Sequence, residues 1–232
     1  MKRGRKYLEK RKTLASLTSG QKYLPMSEAI KALKPVLRDW ETVEIAVRLG
    51  VDPRKAEQNI RGSVVLPHGT GKEVRVCVFT KGEKVEEARK AGADLVGLEE
   101  IIEKVQKGEI DFDVAIATPD VMKEVSKVAK VLGPRGLMPN PKSGTVSFDL
   151  ENTIKAFKAG KVNFRVDKAG VVHTIIGKGS FEEKKLLENA ESVVQELIRL
   201  KPATVKGQYL RSVAISGTQT PSVKVDPQAV VA

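Results

Sequence analysis

The sequence predicts a split α+β domain, an antiparallel sheet with helices, interrupted by an inserted α/β domain built on a small parallel sheet. Three observations carry this. From Glu73 onward strand-like and helix-like runs alternate four times, the pattern of a parallel sheet wrapped by helices. The segments on either side read as antiparallel strands with one long helix, and neither has enough elements to form a core alone. The third observation is charge. Residues 67–159 hold 15 Lys and Arg against 15 Asp and Glu, so the flanks hold 26 against 14, which is the whole formal excess of +12. The predicted division is therefore 1–66 plus 160–232 for the discontinuous domain and 67–159 for the insertion, with joints at "LPHGTGK" (66–72) and "KAGKV" (158–162).

Taken in order, "ETVEIAVRLGV" (41–51) alternates apolar and polar residues and "NIRGSVVLP" (59–67) is rich in β-branched residues, so both read as strands. "EVRVCVF" (73–79) begins the inserted block with the same period of two. A helix follows in "EKVEEARKAG", stopped by Gly92; then come "DLVG", the helix-like "LEEIIEKVQKG", the strand "DVAIATP", the helix "DVMKEVSKVAKVLG" and the short strand "TVSF". Beyond the second joint, "NFRVDKAGVVHTII" reads as a hairpin, "FEEKKLLENAESVVQELIRL" as a long helix, and "YLRSVAIS" and "SVKV" as closing strands.

A net charge of +12 and a pI near 9.7 favour a polyanionic partner, and without an amphipathic basic helix bearing bulky aromatics that partner is nucleic acid rather than membrane. One cysteine, Cys77, excludes an intramolecular disulfide and a thiolate metal cluster and fits a reducing compartment. The cationic start "MKRGRKYLEKRK" is followed by no apolar segment, so export is not expected. "GTGK" (69–72) looks like the tail of a phosphate loop, but Leu66 and Glu73 stand where Gly and Ser or Thr are needed, and "TKGEK" has one glycine in place of a dinucleotide fingerprint. His68 and His173 have no second ligand at metal spacing. No cofactor, metal or catalytic constellation is expected. "GPRG" (133–136) matches the G-x-x-G of KH domains, yet Pro139 and Pro141 forbid the helix that should follow.

Longer strings are more specific. "LGPRGLMPNPKSGTV" (132–146), "ETVEIAVRLGVDPRKAEQNIRGSVVLPHGTGK" (41–72), "GEKVEEARKAGADLVG", "DFDVAIATPDVM" and "YLRSV" (209–213) together resemble, in order, the L-one family of large-subunit ribosomal proteins of bacterial type. The resemblance implies a split α+β domain with an inserted Rossmann-like domain. It also implies binding to large-subunit ribosomal RNA, a place in the mobile stalk beside the exit site, help in releasing deacylated tRNA, and repression of the protein's own operon messenger. It places RNA contacts at Glu41, Thr42, Ser212 and Thr218, and implies a chain that is monomeric outside the ribosome and cytoplasmic, with an organellar matrix or stroma left open. Where the family has Phe-Asp before the Glu-Thr pair, this chain has Asp39 and Trp40; where the family's closing turn carries a glycine, this chain reads Thr218, Gln219, Thr220. Arg135 and Lys142 are placed to meet phosphate or to face the cleft between domains, the alternative being a loop that only fixes the last strand. Two other readings stay open: a free-standing KH-like RNA regulator, and a nucleotide-dependent enzyme on the α/β block.

Overall fold

The structure, a computed structural model, describes residues 4–229. Met1, Lys2 and Arg3, the first of the N-terminal cations, lie outside the described residues. The elements are α1 (Arg5–Leu17), α2 (Met26–Leu33), β1 (Thr42–Leu49), β2 (Arg61–Val65), β3 (Val76–Phe79), α3 (Lys84–Lys90), β4 (Leu95–Gly97), α4 (Glu99–Gln106), β5 (Val114–Ala117), α5 (Met122–Val125), α6 (Ala129–Leu132), α7 (Leu150–Lys158), β6 (Lys161–Arg165), β7 (Val171–Lys178), α8 (Glu183–Arg199), β8 (Leu210–Gly217) and β9 (Val223–Val225). The described residues group into two compact units: those up to Gly71 together with those from Val162 onward, and Lys72–Lys161.

In the first unit, β7, β1, β8 and β9 form one sheet in that order, with β1 antiparallel to both β7 and β8, and β9 antiparallel to β8. The alternation of β1 sends Val43, Ile45, Val47 and Leu49 into the core, each buried. Burying such a side chain stabilises the fold by roughly 1.5–3 kcal/mol. The opposite layer comes from α2, which contacts β8 and β9, and from α8, which contacts β7 and β2. Leu186, Ala190, Val193, Val194 and Leu197 form the buried stripe of α8, at the three- and four-residue spacing of a helix face. Its last turn leaves carbonyls without intrahelical donors, and the Tyr209 hydroxyl donates to Leu197 O at 2.9 Å.

The second unit is a parallel sheet of order β4-β3-β5. Every residue of β3 is buried, as expected of a strand covered on both faces. Cys77 and Phe79 face a cluster with Ile101, Ile102 and Val105 of α4 and with Val125, Val128 and Leu132. Val76 and Val78 face the other way, onto Ala88 of α3 and Leu150, Ile154 and Phe157 of α7.

Four features differ from the sequence reading. The run 120–133 is no single helix: α5 and α6 are four-residue pieces separated and preceded by 3-10 turns. Its valines at 121, 125 and 128 are poor helix formers, and the Ser126 hydroxyl donates back to Met122 O at 2.7 Å. "TVSF" contributes a single parallel bridge, Ala117 to Val146, and no strand. The hairpin over 163–176 is closed by one bridge, Val166 to Val172, after which β6 pairs with β2 and β7 with β1, in separate sheets. Residues 67–71, expected in the insertion, group with the flanks. Fully buried Asn189 of α8 holds them: its Oδ1 accepts from His68 N–H at 3.1 Å and its Nδ2 donates to Gly69 O at 3.1 Å.

Candidate nucleic-acid interface

The polar positions of β1 leave a sheet face that neither α2 nor α8 covers. Glu44 lies opposite Ser216, Ala46 opposite Ala214 and Arg48 opposite Ser212; on the other side the same three residues meet Ile175, His173 and Val171 of β7. Ala214 in turn lies opposite Lys224 of β9. Small side chains thus lie across the middle of this face, with Arg48, His173 and Lys224 and one carboxylate, Glu44, exposed around them.

At the end of that face three segments meet. Thr218 N–H donates to Thr42 O at 3.1 Å, and Thr42 N–H donates to Thr218 Oγ1 at 3.2 Å. The Lys178 ammonium donates to Thr42 Oγ1 at 3.0 Å. Trp40 is 55% exposed, with the Arg38 guanidinium 5.8 Å from its ring centre, so the aromatic lies on the surface and not beneath it. Close backbone approach fixes the corner. Gly179 N–H donates to Glu41 O at 2.7 Å, and a Cβ at Gly179 would sit 2.1 Å from Arg38 O.

Glu41 departs from the expectation of an exposed contact, since it is fully buried. Its carboxylate accepts from the Lys10 ammonium at 2.6 Å, from the Thr220 hydroxyl at 2.6 Å and from Gln219 N–H at 3.4 Å. Burial by itself pushes the Glu41 pKa up, but Lys10, Thr220 and the Gln219 N–H together hold it below the ordinary carboxylate value. A Cβ at Gly217 would lie 2.7 Å from Glu41 Oε2, so this position also needs glycine. The closing turn is therefore tied to the start of β1 and to α1 through one buried anion, and Thr220 is part of that tie. Lys10 was not singled out in the sequence; it lies 31 residues from Glu41, and no local pattern links them.

Of the residues expected to act together, Glu41, Thr42 and Thr218 are contiguous, and Ser212 lies on the same open face, half-buried. Arg135 and Lys142 belong to the other unit and are exposed. Their loop is held by its own bonds. Asn140 N–H donates to Thr145 Oγ1 at 2.8 Å, Lys142 N–H donates to Asn140 Oδ1 at 2.9 Å, and Ser143 Oγ donates to Asn140 O at 3.0 Å. Gly133 ends α6 in helical geometry, and the left-handed turn falls at Gly136.

Residues 26–221 match the sequence profile described as the Ribosomal protein L1p/L10e family, far more than half of the 232 residues. The chain belongs to the ribosomal protein L1p/L10e family. Membership makes it a protein of the ribosome that binds ribosomal RNA, a structural role and not an enzymatic one. Burial pushes the Cys77 thiol up to about 12, so no thiolate nucleophile exists near neutral pH. Among the described residues no group of three or more His, Cys, Asp or Glu is arranged to hold a metal ion, and no helix is long and apolar enough to cross a membrane.

Proposed function

We propose that the open face of the β7-β1-β8-β9 sheet, closed at one end by the Thr42–Thr218 corner, is where this L1p/L10e-family chain grips large-subunit ribosomal RNA. The observation that supports this best is the corner itself. Hydroxyls and backbone groups of Thr42 and Thr218 lie together on a surface ringed by Lys178, Arg38 and an exposed Trp40, with Arg48 farther along the same face. Cations neutralise phosphates and supply sequence-independent attraction; positioned hydroxyls and a stacking ring add the close contacts that distinguish one RNA from another. Glu41 serves in this reading as a positioning residue, holding the turn that carries Thr218. Ser212 adds a hydroxyl farther along the same face. Arg135 and Lys142, on a separate unit, are assigned a phosphate contact or an interdomain one.

The finer role follows the resemblance: a chain that is monomeric when free, sits in the mobile stalk beside the exit site of cytoplasmic ribosomes, assists departure of deacylated tRNA, and represses its own operon messenger through an RNA copy of the ribosomal site. Sedimentation of the native protein with large ribosomal subunits at moderate salt tests the ribosomal reading, and filter binding across a salt series tests the chemistry. Cosedimentation and a negative log–log slope are expected. A slope near zero removes the phosphate contribution, and equal affinity for any duplex RNA removes the specific one.

A further inference from the structure

A groove between α1 and β9 adjoins the open sheet face, shares Lys224 with it, and is otherwise walled by residues to which no contact has been assigned above. It is about 420 Å³, within the roughly 300–1,000 Å³ of small-ligand sites, and Tyr7, Arg11, Leu14, Lys22, Ser222 and Lys224 are among its walls. Tyr23 borders it. The position of that ring is fixed by its neighbour, because Leu24 N–H donates to Lys224 O at 3.2 Å and Leu24 forms a parallel bridge with Val225. Leu24 is buried, while Tyr23 is 45% exposed. The Lys22 ammonium lies 5.6 Å from the Tyr23 ring centre and the Lys224 ammonium 5.9 Å. No ion pair among the described residues engages Arg11, Lys22 or Lys224, and all three are exposed.

An isolated exposed tyrosine is unremarkable in a protein surface, and so is a solvated lysine. The combination is different. A half-exposed aromatic ring with two ammonium groups over it, on flexible stems that can move from the ring to phosphate, and a third cation outside any ion pair in the adjoining groove is what single-stranded nucleic acid requires: a platform for one base and charges for the phosphates on either side. The place is also continuous with the proposed interface. Lys224 is opposite Ala214 on the open sheet face, and the chain reaches the groove directly from the Thr218–Thr220 turn.

We propose that this groove binds an unpaired nucleotide of the RNA, its base stacked on Tyr23 and its phosphates held by Lys22, Lys224 and Arg11. The proposal rests on the ribosomal RNA reading above and extends it to a second contact. Stacking tolerates any base, so this contact adds affinity for an unpaired strand without specifying its sequence.

The test uses the intact chain and protein-free large-subunit ribosomal RNA in filter binding across a potassium chloride series. Stacking on one aromatic changes affinity by about five- to 150-fold on alanine substitution, so Tyr23→Ala should weaken binding within that range, and Tyr23→Phe, which keeps the ring, should stay within about twofold. Lys22→Gln with Lys224→Gln should lower the log–log salt slope by roughly 1.4, about 0.7 for each single-strand phosphate contact. Thermal melting accompanies each variant, and the lysine pair carries the test if Tyr23→Ala loses stability. If Tyr23→Ala binds as the parent does and the lysine pair leaves the slope unchanged, while Thr218→Val weakens binding, the groove holds no RNA and the Thr218 corner still does. If the parent chain itself binds this RNA no better than an unrelated duplex, the underlying reading fails and takes the groove with it.

Discussion

Glu41 and Thr218 divide the work of one corner between a buried anion and an exposed hydroxyl. Thr218 Oγ1 accepts from Thr42 N–H at 3.2 Å and donates to Thr42 O at 3.3 Å, a long bond that an RNA acceptor can replace, and it keeps a lone pair for a partner. Thr218→Val keeps the shape and removes these groups, so ribosomal RNA affinity should fall about five- to 150-fold, the range that corresponds to roughly 1–3 kcal/mol for an unpaired interface group. Thr218→Ser should retain most of it. Unchanged affinity in the valine variant, at an unchanged melting temperature, would remove Thr218 from the interface. For Glu41 the expected readout is stability. Lys10→Met strips a buried carboxylate of its ammonium, a change that typically costs about 3–5 kcal/mol; the lower end is expected because Thr220 and Gln219 N–H still donate. Glu41 binds its proton less readily folded than unfolded, so its stabilisation is complete above the ordinary value of 4.5 and is lost as pH falls below that. Denaturant unfolding of the parent from pH 6 downward should therefore show a steeper loss than Glu41→Gln. Parallel pH profiles would contradict the buried ion pair.

At the scale of elements, α8 does more than cover the sheet. Asn189 is fully buried, and besides holding His68 and Gly69 its Nδ2 donates to Ile176 O at 2.8 Å. Asn189→Leu leaves three backbone groups without their partner and should cost at least about 3 kcal/mol, at roughly 1–3 kcal/mol for each. Hydrogen exchange at 68–71 should speed up while the α2 amides stay protected; equal change everywhere would mean that Asn189 acts on global stability alone. The elements legible in the sequence were those with a clear period: β1, whose alternation is unbroken over eight residues, and α8, with its apolar stripe. Of those that were missed, α2 and α7 do carry an apolar face, Met26, Ala29, Ile30 and Leu33 in one and Leu150, Ile154 and Phe157 in the other, but run for only eight and nine residues, about two turns each, whereas α1 lacks a period altogether. α1 buries a single residue, Leu14, so nothing in its periodicity announces a helix. The run 120–133 repeats valine at helical spacing, which marks the buried face but does not say that β-branching and the Ser126 back-bond will break it into short turns. Glu41 was legible as a member of the corner and illegible as a buried one, because Lys10 and Thr220 reach it from 31 and 179 residues away.

For the whole molecule the central observation is the separation of charge from fold class. Within Lys72–Lys161 there are 16 basic and 15 acidic residues, leaving 25 and 14 in the other unit. The unit with the open sheet face thus carries nearly all the excess, and a long-range attraction for polyanions with it. The chain leaves the host after β2 and returns in β6, which are neighbouring strands, and Val166 N–H donates to Ile60 O at 3.0 Å, so one cut end lies in β6 and the other six residues past its partner strand. Joining Gly71 to Val162 through a short Gly-Ser linker should accordingly give a folded protein, and the excised 72–161 unit, with hydrophobic clusters on both faces of its sheet, should fold as well. Titrating both fragments against the same large-subunit ribosomal RNA, with folding checked by circular dichroism, is the most direct test of where the RNA is held. The joined flanks should retain most of the parent affinity and its salt dependence, and the excised unit should show little. Tight binding by the excised unit, or a folded joined fragment that does not bind, would contradict the assignment of the interface to the split domain.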